Sequence, residues 1–150
     1  MPVSASQMRR FFLSLSRSDR LLKVWRPKKP DPETMRGCLD DFLDLMGQSR
    51  EEKRDFLTPE RQAFFRSVAE DLAARGMLQL YFMVIDGTPV AATLCFDYHD
   101  QRLLYNSGFD PEYASLSVGL LLNARSLEDA INGRMGYFDF LRGDEPYKYH

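Results

Sequence analysis

Residues 78–85, Leu-Gln-Leu-Tyr-Phe-Met-Val-Ile, run into Asp86-Gly87, and Pro89 to Phe96, Pro-Val-Ala-Ala-Thr-Leu-Cys-Phe, follow. The first run is almost wholly apolar or aromatic over eight residues, the length and makeup of a well-buried strand. Asp-Gly between two such runs tolerates positive φ and predicts a two-residue hairpin. His99 to Arg102 reads as a second polar turn and Leu103 to Gly108 as a third strand, so the stretch is an antiparallel meander. Small residues at Ala91 and Ala92 would let something approach the return strand closely.

Beyond the meander, a loop from Phe109 to Gly119 leads into a helix whose apolar positions are Leu120, Leu121, Ala124, Leu127, Ala130 and Ile131. Gly133 or Gly136 stops it, and Tyr137 to Leu141 forms another strand. A helix between the third and fourth strands predicts a right-handed parallel crossover. Before the meander, Met35, Cys38, Leu39, Phe42, Leu43 and Met46 follow helical spacing, with Gly47 as the terminator. Residues 48–57 are mostly charged and read as exposed. Thr58-Pro59 opens a further helix with a capping hydroxyl and a first-turn proline. Its apolar face is Phe64, Phe65, Val68, Ala69 and Leu72, and Gly76 closes it. Leu21 to Trp25 is a short strand ended by Pro27, Pro30 and Pro32. Residues 5–18 read weakly as a basic amphipathic helix.

With 150 residues, 44% of them hydrophobic, the chain is one soluble globular domain. A net charge of -2 argues against a wholly nucleic-acid-binding surface. Yet residues 1–30 hold eight basic side chains against Asp19 alone, a balance of +7, which leaves -9 for the remainder. Such a segment suits a phosphorylated ligand or RNA, or is simply a solvated helix face. Cys38 and Cys95 fall in different elements and make neither a metal-ligand spacing nor a disulfide framework, which suits a reducing, cytoplasmic compartment. No apolar run approaches the ~20 residues of a membrane span. The Arg9-Arg10 pair is followed by too short an apolar stretch, broken by Arg17, Asp19 and Arg20, to be an export signal.

Two segments could carry chemistry. The loop from Asp110 to Leu120 enters a helix, so its backbone N–H groups and the helix dipole could hold a phosphate or pyrophosphate. Ser115 and Ser117 could add hydroxyl donors, and Gly119 admits a ligand close to the backbone. The alternative for Ser117 is an ordinary helix cap. The second segment, Asp139 to Lys148, places both signs of charge at the end of a buried strand, where ligands of open α/β sheets gather. Arg142 could bind a carboxylate or phosphate, Lys148 could stabilise charge developing on a carbonyl oxygen, and Asp139 or Glu145 could accept a proton from an amine. An ion-pair cluster closing the sheet edge is the alternative.

Ser107-Gly108-Phe109-Asp110-Pro111-Glu112-Tyr113-Ala114, with Leu116 to Leu122, resembles the strand–loop–helix core of GNAT acetyltransferases. Phe138 to Lys148, Phe-Asp-Phe-Leu-Arg-Gly-Asp-Glu-Pro-Tyr-Lys, resembles the CelD/BcsL branch, the BioF-like acetyltransferase domain of bacterial exopolysaccharide and cellulose biosynthesis, which is related to the FemAB aminoacyltransferases. The likeness is strongest from Leu78 to His150 and thin before residue 30. It implies an α+β GNAT (acyl-CoA N-acyltransferase) fold over residues 1–150, a mixed, mostly antiparallel sheet flanked by helices, with the C-terminal strands missing.

The resemblance further implies acyl transfer from acetyl-CoA or another acyl-CoA to a small-molecule amine, with no metal. The donor would lie between the strands ending near Gly108 and Leu141. Its pyrophosphate would meet Ser115, Leu116, Ser117, Val118, Gly119 and Leu120, and a backbone N–H of the third meander strand would stabilise the oxyanion. Lys148, Arg142, Asp139 and Glu145 would form the catalytic set. The GNAT signature Gln/Arg-x-x-Gly-x-Gly/Ala is altered here, with Ala114 in place of the basic residue and Ser117 in place of glycine. Aminoacyl-tRNA and acyl carrier protein therefore stand as alternative donors, a second GNAT-like half or a homodimer as partners, and a non-catalytic GNAT-like module as the alternative role.

Overall fold

The computed structural model describes residues 22–25 and 31–141. Strand β1 (Leu22–Trp25) leads to helices α1 (Pro32–Ser49), α2 (Glu51–Phe56) and α3 (Pro59–Ala74). Strands β2 (Leu78–Ile85), β3 (Thr88–Tyr98) and β4 (Gln101–Phe109) follow, then a 3-10 turn (Pro111–Leu116), helix α4 (Val118–Asn132) and strand β5 (Tyr137–Asp139). The strands form one sheet in chain order, β1 to β4 antiparallel and β5 parallel to β4. This is the mixed, mostly antiparallel α+β arrangement expected from the sequence. The expected basic helix over residues 5–18 and the linker prolines Pro27 and Pro30 lie outside the described residues.

Local chemistry explains most boundaries. Asp31 caps α1 by accepting from the Thr34 N–H at 3.0 Å, and Thr58 caps α3 by accepting from the Arg61 N–H. Proline occupies the first turn of both, where its missing N–H costs nothing. After α3, Gly76 at φ 70° closes a Schellman motif, with Met77 N–H bonding Leu72 O and Gly76 N–H bonding Ala73 O. Asp86 (φ 50°) and Gly87 (φ 78°) both sit at positive φ, as a two-residue turn of the I′ kind requires.

Three expectations are corrected. Gly47 does not end α1, which runs on to Ser49; an added Cβ there would meet Leu57 Cδ1 at 3.7 Å, an ordinary contact. The charged run 48–57 contains a regular helix, α2, exposed as expected except at the half-buried Lys53. Helix α4, as expected, stops at one of the two glycines named, with Gly133 as its C-cap, and Arg134 at φ 60° then turns the chain; the Met135 N–H bonds Ala130 O and the Arg134 N–H bonds Ile131 O. Strand β5 spans three residues and is not buried, with Tyr137 66% exposed, because it pairs with β4 alone over a short stretch.

The sheet is covered on both faces. Leu80, Phe82, Ala92 and Leu94 pack under α1 and α3, against Leu39, Phe42, Met46 and Phe65. Tyr81, Met83, Val90 and Ala91 pack under α4, against Val118, Leu121 and Leu122. Ala91 and Ala92 are thus approached closely by helices, one on each face.

Strand β4 carries the feature that shapes the site. Arg102 bonds α4 at Ser126 O, and Phe109 packs in the α4-side cluster. The two are an odd number of positions apart, so strict alternation would put them on opposite faces. The pairing with β3 slips between Leu94 and Cys95: Leu94 faces Asn106 while Cys95 faces Leu104. Tyr105 is the extra residue, a β-bulge that resets the alternation. As a result Gly108 turns toward α1, where an added Cβ would sit 2.3 Å from the Met46 backbone. Glycine there lets helix and strand touch backbone to backbone.

Candidate active site

The two ends of β4 differ in their neighbours. β5 pairs with Gln101, Arg102 and Leu103 only. From Leu104 to Phe109, β4 pairs with β3 alone among the described residues. Six residues of strand span about 20 Å, so a long one-sided edge opens beside the end of β5. The hydrogen-bonding phase of this edge follows from one contact, Asp110 N–H to Val90 O at 2.8 Å. In an antiparallel ladder bonded and non-bonded pairs alternate. Gly108 and Asn106 therefore direct their peptide groups at β3, while Phe109 and Ser107 direct theirs outward, into the opening.

Helix α4 begins at the same end. It follows β4 through the 3-10 turn, in which Asp110 accepts from the Glu112 N–H at 2.9 Å. The first N–H bonded back within the helix region is that of Leu121, to Ser117 O at 3.0 Å. The first-turn amides of Val118, Gly119 and Leu120 have no intrahelical acceptor. No acidic residue lies in that turn, so the positive end of the dipole is not neutralised locally. The Phe109 ring lies 3.3 Å from where a Gly119 Cβ would be, which fixes the helix start against the last residue of β4.

Of the loop residues singled out from the sequence, Ser115, Ser117 and Leu120 are exposed and Gly119 is half-buried. Leu116 packs at the border of the α4-side cluster and Val118 is fully buried, so only their backbone groups are placed to meet a ligand. Ser117 does not use its hydroxyl as a helix cap. It sits in the left-handed region, at φ 51° and ψ 38°, with no side-chain capping bond. Asp139 is exposed at the end of β5, and its carboxylate accepts from the Leu141 N–H at 2.7 Å, which holds the chain's turn away from the strand. Arg142, Glu145 and Lys148 lie outside the described residues.

Three residues at the open edge were not singled out from the sequence. Lys53 of α2 reaches β4, where its Nζ donates to Asn106 Oδ1 at 2.9 Å and to Ser107 O. Asn106 Oδ1 also accepts from the Ser107 N–H at 2.9 Å. Both outward peptide groups of Ser107 are thus engaged by side chains of the protein itself.

The closed end is held by a buried ionic cluster. The Arg102 guanidinium forks onto Asp97 at 2.8 and 2.9 Å and reaches Asp129 at 3.0 Å and the Tyr81 hydroxyl. Burial alone would lower its pKa, but the bonds to Asp97 and Asp129 and the nearby Tyr81 outweigh that and raise it, so the group stays charged. Beside it, burial pushes the Cys95 thiol up to about 12, which removes it as a nucleophile. Among the described residues no group of His, Cys, Asp and Glu could hold a metal ion, and no helix is long and apolar enough to cross a membrane.

A one-sided strand edge that ends beside an uncapped helix N-terminus is an arrangement able to take an extended ligand carrying an anionic group. The model of the acetyltransferase (GNAT) domain family matches residues 8–149, and the chain belongs to that family. Solved structures agree in fold. An aminoglycoside acetyltransferase from an uncultured soil metagenomic sample, in complex with sisomicin, superposes with a TM-score of 0.61 at 13% identity, over 87% of this chain and 83% of that one. The ribosomal-protein-S18-alanine N-acetyltransferase from Escherichia coli gives 0.56 at 13% identity, over 77% and 63%. The PaiA N-acetyltransferase from Thermoplasma acidophilum, in complex with coenzyme A, gives 0.55 at 10% identity, over 76% and 74%. No curated protein matches the chain.

Proposed function

We propose that this acyltransferase moves an acyl group from acetyl-CoA or another acyl-CoA to an amine of a sugar, lipid or peptide precursor, in cytoplasmic steps of exopolysaccharide or cell-envelope biosynthesis. The observation that carries the donor half of this reading is the outward edge of β4 lying next to the free first-turn amides of α4. The thioester arm lies along Ser107 and Phe109, and the pyrophosphate meets the amides of Ser115 to Leu120. The acceptor nitrogen forms the new C–N bond, its proton passes to Asp139, Glu145 or water, the C–S bond breaks, and CoA leaves as the thiolate, which takes up that proton to become the thiol. A backbone N–H of the open half of β4 donates to the oxyanion. Arg142 and Lys148 complete the cleft by resemblance, and the Phe138–Lys148 run supports the exopolysaccharide assignment.

Calorimetric titration with acetyl-CoA and with CoA tests this reading. Gly119→Val is a poor probe, because its side chain would strike the Phe109 ring. Leu120→Glu is better: Leu120 is exposed, and a carboxylate in the first helical turn favours the helix while repelling phosphate. Micromolar binding by the wild type, weakened about ten-fold or more in Leu120→Glu with unchanged melting, is expected. A folded wild type that binds neither compound would overturn the acyl-CoA assignment in favour of aminoacyl-tRNA, a carrier protein or a non-catalytic module.

A further inference from the structure

We propose that Asn106 and Lys53 form a displaceable clasp on the open edge of β4, and that the clasp sets donor affinity. The proposal rests on the acyl-CoA reading above. Asn106 Oδ1 stands 2.9 Å from the Ser107 N–H and 2.9 Å from Lys53 Nζ, and Lys53 also donates to Ser107 O. The two bonds to Ser107 occupy positions that an incoming amide needs. An extended ligand that adds to a strand edge offers a C=O to one outward N–H and an N–H to one outward C=O. On this edge both groups at Ser107 are already satisfied, the N–H by Asn106 and the C=O by Lys53.

The β-bulge explains why the clasp exists. Asn106 faces β3 with its own peptide groups, and the extra residue at Tyr105 turns its side chain to the α1–α2 side of the sheet, where Lys53 arrives from α2. Its carboxamide is then one peptide away from the outward N–H of Ser107 and caps it locally. Binding exchanges that bond for one to the ligand. Displacing the clasp costs the margin by which it betters water, a cost that an uncapped, water-bonded edge does not carry. Lys53, freed from Ser107 O by the same exchange, keeps one fewer of its bonds to β4, so donor binding is coupled to the contact between α2 and this edge.

The test is the acetyl-CoA affinity of Asn106→Ala against the wild type, measured by calorimetry, with residue-resolved amide exchange at Ser107. The variant keeps the backbone donor and removes its internal acceptor. The proposal expects about five-fold tighter binding in Asn106→Ala. It also expects fast Ser107 exchange in the free variant that becomes slow on adding acetyl-CoA. Unchanged or weaker binding in a folded Asn106→Ala, with a wild type that binds, would overturn the clasp and leave the acyl-CoA reading standing. Binding by neither protein would overturn both.

Discussion

The two ends of β4 belong to one strand of nine residues, yet they are built for opposite purposes. At the closed end, Gln101 to Leu103 pair with β3 on one side and β5 on the other, and Arg102 is buried among Asp97, Asp129 and Tyr81. At the open end, Leu104 to Phe109 keep β3 as their strand partner, carry a bulge, and press a glycine against the backbone of α1. The difference teaches how a sheet can part its strands without losing them. The ionic cluster ties the closed half of β4 to β2, β3 and α4, and helices on both faces hold the open half in place, where β3 is its one strand partner among the described residues.

The largest effect should come from breaking the closed end. Arg102→Ala leaves Asp97 and Asp129 facing a buried gap, and loss of one partner of a buried pair costs about 3–5 kcal/mol. Chemical denaturation should show that loss; a change under about 1 kcal/mol would mean that the cluster does not hold the closed end. At the open end, Gly108→Ala drives a methyl into the Met46 backbone, which cannot rotate away as a side chain would. Overpacking of this kind costs about 1–3 kcal/mol and should lower the melting temperature and donor affinity together. If stability alone fell, the α1 contact would not be what holds the edge in its binding geometry.

A finer distinction uses pH. Below pH 9.0, the ordinary value for a thiol, both folded and unfolded chains keep the Cys95 proton, so the residue contributes no pH dependence there. Between 9.0 and about 12 the unfolded chain releases it while the folded chain retains it, and stability must fall. Replacing Cys95 by Ala should remove a slope of up to about 1.4 kcal/mol per pH unit in that window, read as the difference between the two proteins' alkaline denaturation curves. Equal slopes would place Cys95 in contact with water. The smallest effect concerns the helix that feeds β5. Arg134 holds a left-handed conformation that glycine adopts without strain, so Arg134→Gly should stabilise by up to about 1 kcal/mol. A destabilised variant would show that the Arg134 side chain contributes more than its backbone costs.

What was legible in the sequence was whatever is encoded within a few residues. Asp86-Gly87 specifies its turn by the φ values it permits, Thr58-Pro59 and Gly76 specify the two ends of α3, and the apolar spacing of Met35 to Met46 specifies the buried face of α1. The helix after the meander and its start near Gly119 were legible for the same reason. The site was legible only as a loop before a helix. Nothing local announces that Tyr105 is a bulge residue, because the register is decided by β3 and by what the helices bury. Lys53 lies in Glu-Glu-Lys-Arg-Asp-Phe, which reads as a solvated charge run, and its partner is 53 positions away. Tyr137 to Leu141 looks like a buried strand because aromatic residues dominate it, whereas the strand stops at Asp139 and none of the five residues is fully buried. Ser117 had the chemistry of a cap and was placed where a cap belongs, but the left-handed backbone there leaves its hydroxyl out of that bond.

The central claim is that the open half of β4 and the start of α4 together form the donor site while the closed half does not take part. The direct measurement is a titration of the isotope-labelled protein with acetyl-CoA, followed by backbone amide shifts and exchange. The account predicts that Ser107, Phe109 and Val118 to Leu120 respond, and that Gln101 to Leu103 stay still. Responses confined to Gln101 to Leu103, or to the far face under α1 and α3, would contradict it.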